Sequence, residues 1–113
     1  MSVNRALINA LEDFYIPCKP EPYRGDEERF FTFNIASDSG TDFGDDSPGF
    51  NRLIVYLHYW LPINHNYLEE KNEIRKMLVC AGFSYPSVTL DSAVPDREGY
   101  RHIVFQTEYI QEV

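Results

Sequence analysis

The stretch that decides the fold is Phe50-Asn51-Arg52-Leu53-Ile54-Val55-Tyr56-Leu57-His58-Tyr59-Trp60-Leu61. Successive side chains of a strand point to opposite faces. Leu53, Val55, Leu57 and Tyr59 therefore share one side, and Ile54, Tyr56, His58 and Trp60 share the other. Both sides are apolar or aromatic, the pattern of a central strand covered on each face. Helices of the same chain would supply one cover, and a second subunit or a further internal layer the other.

Upstream, Arg29 to Ala36 reads as another strand, with Phe31, Phe33 and Ile35 on one face and Thr32 and Asn34 on the other. Between the two strands, Ser37 to Gly49 holds four aspartates, three glycines and a proline in thirteen residues, which predicts a long, acidic, mobile loop over 37–49. Further upstream, Pro17, Pro20 and Pro22 force an extended path over 15–23, suited to an edge strand because proline offers no N–H. Gly25-Asp26-Glu27-Glu28 reads as a turn. Before the prolines, Ser2 suits an N-cap, and Val3, Ala6, Leu7, Ala10, Leu11 and Phe14 recur at helical spacing.

Downstream, Pro62 stops the strand, and Asn66 with Glu69 fits a capping box. Tyr67, Ile74, Leu78 and Ala81 mark a helical stripe that Gly82 closes. Extended structure resumes over 83–91, where Val88 and Leu90 alternate, and Asp91 to Gly99 forms a polar turn region. The last strand, Tyr100 to Ile110, places Ile103, Phe105, Thr107 and Tyr109 on one face. The order is α-β-β-β-α-β-β. It predicts a single α+β domain over 1–113, two-layered, with a mostly antiparallel sheet of four or five strands packed by two helices.

Composition limits the function. The 113 residues include 10 basic and 18 acidic ones, a net charge of −8. The basic residues are scattered singly, which argues against tight binding of nucleic acid, because phosphate contacts need clustered cations. A hydrophobic fraction of 43% supports a packed core. No stretch approaches the run of about 18 apolar residues that a membrane span needs, so no membrane partner is expected. Met1-Ser2-Val3-Asn4-Arg5 lacks the apolar core of a secretory signal. Cys18 and Cys80, far apart, are expected as reduced, buried thiols.

Motifs for chemistry are missing. Asp38, Asp42, Asp45 and Asp46 are hard oxygen donors, but counted from Asp38 the third residue is Gly40 and the sixth is Phe43, which breaks the calcium-loop pattern. The better expectation is a solvated acidic segment that orders against a partner. His58 and His102 lie on predicted strands and can face each other or an acid, yet have no nucleophile or third ligand at hand. Packed, hydrogen-bonded histidines are therefore favoured. No nucleophile elbow or phosphate-binding glycine loop occurs. No catalytic residue, metal or cofactor is expected. What remains is the face of Ile54, Tyr56, His58 and Trp60: two helices suffice for only one side of the sheet, so the apolar area left over is either a protein interface or part of the internal core, with equal weight on each.

Several segments together resemble a family. Leu53 to Trp60, then Leu61-Pro62-Ile63-Asn64-His65-Asn66-Tyr67, run into Lys71-Asn72-Glu73-Ile74-Arg75-Lys76-Met77-Leu78. That helix closes in Ala81-Gly82-Phe83-Ser84-Tyr85-Pro86, and the final strand reads Arg101-His102-Ile103-Val104-Phe105-Gln106-Thr107-Glu108. Over roughly residues 50–110 this order resembles small tail-completion or tail-terminator proteins of siphophages and prophages of Gram-positive bacteria, which join the tail tube to the head connector.

The resemblance implies a non-enzymatic virion protein, made in the host cytoplasm, that forms a six-fold ring at the head-proximal end of the tail. Its expected partners are further copies of itself, tail-tube and head-connector proteins, and DNA that passes without specific binding. A closed ring needs two complementary patches per subunit. The Ile54–Trp60 face suits one, and the segment with Asp38, Asp42, Asp45 and Asp46 the other. An acidic lumen would repel phosphates and let DNA slide. The alternative is a small acidic binding module, or nucleic-acid mimic, that inhibits a basic host protein.

Overall fold

In the computed structural model, which describes residues 2–22, 28–44, 47–94 and 99–112, residues 41–44, 47 and 48 are described by their backbone alone. The elements run α1 (Val3–Ala10), β1 (Cys18–Pro20), β2 (Phe30–Gly44), β3 (Ser47–Pro62), α2 (Leu68–Cys80), β4 (Ser87–Ala93) and β5 (Tyr100–Glu112). The strands form one five-stranded sheet in the order β1-β2-β3-β5-β4. The architecture is α+β with a mixed sheet. β2, β3, β5 and β4 pair antiparallel, but β1 runs parallel to β2, a departure from the expected antiparallel character. The short β1 is an edge strand, where its Pro20 is tolerated.

Every residue of β3 from Phe50 to Trp60 has a partner on β5, and the pairs from Val55–Ile35 to Trp60–Phe30 set the register against β2. Leu53, Val55, Leu57, Tyr59 and Leu61 are each at most 3% exposed. They meet Phe31 and Phe33 of β2, Ile103 and Phe105 of β5, and the apolar stripes of the helices, Val3, Ala6, Leu7 and Leu11 from the first and Ile74 and Leu78 from the second. Complete burial of each such side chain contributes about 1.5–3 kcal/mol. The core therefore lies between the two helices and one side of the sheet. Among the described residues no second layer covers the other side.

Local signals place the helices. Ser2 Oγ accepts from the backbone N–H of Arg5 at 3.2 Å, the expected cap. α1 stops at Ala10, and a 3-10 turn over Glu12–Phe14 carries the stripe onward, so that Phe14 meets the Phe31 ring edge-on at 5.6 Å. Gly82 takes φ +97° and lets Phe83 N–H reach Leu78 O at 3.0 Å, closing α2 as its sequence required. The expected capping box does not form. Asn66 Oδ1 accepts from Leu68 N–H at 3.4 Å, and Tyr67 stands at the cap with no side-chain bond. The Tyr67 ring lies against the Arg101 guanidinium at 4.3 Å and Lys71 Nζ at 5.2 Å.

The segment 37–49 is not a long mobile loop. β2 continues to Gly44 and β3 begins at Ser47, so the two strands form a hairpin arm whose connection, Asp45-Asp46, lies outside the described residues. After a bulge between Ile35 and Ser37, pairing resumes from Ser37–Ile54 to Gly44–Ser47. The composition misleads because it reports exposure, not backbone state. The arm reaches beyond the helices, giving the molecule extents of 53 × 26 × 22 Å. The ladder bonds that hold it are backbone bonds indifferent to side-chain polarity.

A candidate interface on the open sheet face

The side of the sheet opposite the helices is organised around the even-numbered residues of β3. Trp60 sits between Phe30 of β2 and His102 of β5, His58 between Thr32 and Val104, Tyr56 between Asn34 and Gln106, and Ile54 between Ser37 and Glu108. Leu90 and Ser92 of β4 extend the face past Val104 and His102. Ile54, Tyr56, His58 and Trp60 are all half-buried, shielded by neighbours on the sheet rather than by another layer.

A polar and aromatic network joins these side chains. The Trp60 ring stacks on His102 with centroids 3.8 Å apart and planes 6° apart, and on its other side it stacks more loosely on Phe30 at 6.1 Å. Trp60 Nε1–H donates to Thr32 Oγ1 at 3.0 Å. His58 Nδ1 and His102 Nε2 are 2.8 Å apart, and His58 Nε2 lies 2.8 Å from Asn34 Oδ1 and 3.3 Å from Glu21 Oε1. The two alternatives for the histidines, each other or an acid, are thus both realised. Burial lowers the pKa of His58 against the pull of Glu21. It carries His102 down to about 4, with the neighbouring His58 adding to the effect. At neutral pH both rings are uncharged. Nearer the arm, the Arg52 guanidinium holds Glu108 by a two-pronged ion pair and keeps that carboxyl below its usual range.

Of the four aspartates in 37–49, Asp38 is the one whose side chain is described, and it does not join this face. Asp38 pairs with Leu53, so it points to the helix side, beyond the helices, where it is exposed. Asp42 lies farther along β2, with its side chain outside the described residues, and Asp45 and Asp46 lie wholly outside them. Glu21, Thr32 and Asn34 complete the network although motif reasoning did not single them out as site residues. Strand alternation already separates Thr32 and Asn34 from Phe31 and Phe33, but only the register shows that they sit beside His58.

Two clusters on the covered side tie α2 to the sheet. Tyr59 Oη donates to Glu70 Oε1 at 2.9 Å and accepts from Arg29 Nε at 3.0 Å; Arg29 Nη2 pairs with Glu70 Oε2 at 2.7 Å, and His65 Nε2 lies 2.8 Å from Glu70 Oε1. Burial pushes the Tyr59 phenol pKa upward, opposed by its bond from Arg29. Asp91 accepts from Lys71 at 2.6 Å and Arg101 at 2.7 Å; burial acts against its charge, but these two cations still hold it below the usual carboxylate value. The Tyr59, Arg29, Glu70, Lys71 and Asp91 side chains are thus held by one another and by Arg101, and they anchor α2 to the sheet.

A groove of about 510 Å³ between α1 and α2, lined by Ala6, Ala10, Met77 and Cys80, is mainly apolar. Cys80 is exposed there, not buried as expected, because it falls on the outer side of α2. Cys18 is buried, which raises its thiol pKa to about 12. Among the described residues no group of three or more His, Cys, Asp or Glu is placed to hold a metal ion, and no helix is long and apolar enough to cross a membrane. Comparison with known families and with curated proteins finds no match.

Proposed function

We propose that the chain is a non-enzymatic bacteriophage structural protein acting in tail completion and head–tail joining, one subunit of a ring at the head-proximal end of the tail tube. The observation that carries this reading is the aromatic face of Ile54, Tyr56, His58 and Trp60, which the chain's own helices leave uncovered. Tryptophan and tyrosine are the side chains that anchor protein interfaces. The segment order over residues 50–110 supplies the phage context. The hairpin arm of β2 and β3 gives a second surface, distinct from the first, as a closed ring of identical heterologous contacts requires. A net charge of −8 is compatible with a lumen through which DNA slides.

The test is to mix the purified chain with polymerised tail-tube protein, and to follow ring formation by light scattering and electron microscopy. Rings capping tube ends are expected, and Trp60→Ala should abolish them while the subunit stays folded. A chain that remains monomeric beside tubes and instead binds a basic host protein would replace this reading with the acidic binding module.

A further inference from the structure

The hydrogen-bond directions on the open face are fixed by elimination. Indole N–H can only donate, so Trp60 donates to Thr32 Oγ1, whose own proton points to Glu21 Oε1 at 3.5 Å. Asn34 Oδ1 and the Glu21 carboxylate are acceptors, so His58 Nε2 carries a proton toward them. A neutral His58 then has its lone pair on Nδ1, and His102 must donate from Nε2 across the 2.8 Å contact. The lone pair left to the couple is on His102 Nδ1, in a ring stacked flat on Trp60.

We propose that His58 and His102 form a proton-operated switch at the centre of the open sheet face, whose two rings are uncharged at neutral pH and charged in acid. The first added proton binds His102 Nδ1 and makes an imidazolium that still donates to His58, with Trp60 beneath it. The second must enter at His58 Nδ1, where it displaces the His102 N–H and drives the rings apart. Neither step needs a co-reactant beyond the proton. The surroundings set the balance. Among the described residues Glu21 is the carboxylate facing the couple, β1 brings Lys19 into register with Thr32, and β2 contributes the neutral Thr32 and Asn34. β4 places Ser92 beside His102. On β3 and β5, Tyr56 and Tyr100 share the face, and Arg52 and Glu108 neutralise each other farther along it.

The sign follows from desolvation. An unfolded histidine takes up its proton near 6.5, whereas folded His102 waits until about 4, so the fold loses stability as pH falls through that window. A neutral ring pair can be buried between subunits, and an imidazolium without a counter-ion resists burial. This consequence for assembly rests on the ring reading above. The switch itself does not.

Trp60 is the chain's one tryptophan, so its emission reports on the couple directly. In the full chain, emission should fall about two-fold through a midpoint near 4, with far-UV circular dichroism unchanged, and His102→Gln should remove the response. Nitrogen-15 spectra of the unaltered chain should show both histidines as the Nε2–H tautomer at neutral pH and as a coupled pair on acidification. An Nδ1–H tautomer for either ring, or two independent titrations near 6.5, would overturn the switch, as would Trp60 emission indifferent to pH. Should His102→Gln fail to fold, the nitrogen spectra still decide. A couple that titrates as expected while rings persist unchanged into acid supports the switch and removes this face from the ring contact.

Discussion

On the helix side of β3, Leu53, Val55, Leu57, Tyr59 and Leu61 are closed off from water by α1 and α2. On the opposite side of the same strand, Ile54, Tyr56, His58 and Trp60 keep partial contact with solvent. The two sides share backbone, register and neighbours, so the difference lies in what the side chains ask for. Leucine and valine gain only by leaving water, and need no orientation. Tryptophan, histidine and threonine on the far side are aligned by directional bonds, Trp60 to Thr32 and His102 to His58, which hold large rings in place without a covering layer. A surface with its rings already ordered loses less entropy when a partner arrives. The helix side makes the subunit stable, and the far side makes it ready for contact.

Substitutions on the two sides should separate these roles. Leu57→Ala is expected to have the largest effect, a loss of about 2–5 kcal/mol in chemical denaturation, because a fully buried side chain leaves a cavity. Trp60→Ala should cost the isolated subunit only about 1–2 kcal/mol, the loss of a half-buried ring with its stack and one hydrogen bond. If Trp60→Ala instead unfolds the subunit as severely as Leu57→Ala, the ring belongs to the intramolecular core and the contrast between the sides collapses.

How much of this was legible in the sequence depends on the range of the signal. Alternation over Leu53–Trp60 divided the two sides correctly, and Gly82 marked the end of a helix, because both signals are local. The parallel pairing of β1 was not legible, since nothing in Cys18-Lys19-Pro20 states a direction. The arm was misread because serine, glycine and aspartate describe a solvated surface as readily as a loop, and the pairing of Ser37 with Ile54 through Gly44 with Ser47 is not written in composition. His58 and His102 could be paired on paper, but Glu21, Thr32 and Asn34 joined them only through register. Strand pairing is the missing information in each case.

The charged groups extend the comparison. Under the sheet, Tyr59 is 0% exposed and its hydroxyl bridges Arg29 and Glu70. Tyr59→Phe should cost about 1–3 kcal/mol, because Glu70 and Arg29 each lose a partner in a place that water reaches poorly. The same substitution also loosens the first turn of α2, so amide exchange there should accelerate more than in β5. Equal acceleration in both would mean that the bridge serves the whole fold and does not specifically anchor the helix.

The smallest effect is expected from the ion pair on the far side. Arg52 and Glu108 are close and bidentate but solvated, and exposed pairs add little because water and salt screen them. Arg52→Ala should leave the thermal midpoint unchanged at physiological salt. Its signature is electrostatic: Glu108, now held below the usual carboxylate range by the Arg52 hydrogen bond and charge, should titrate at its ordinary value once the guanidinium is gone. Because that folded-state pKa is depressed, any stability the pair contributes is present at neutral pH and is lost as pH falls through the folded value. A clear drop in the midpoint at neutral pH would show that the pair clamps β3 to β5 at the root of the arm. The far side would then share in holding the subunit together, contrary to the division drawn from Leu57 and Trp60.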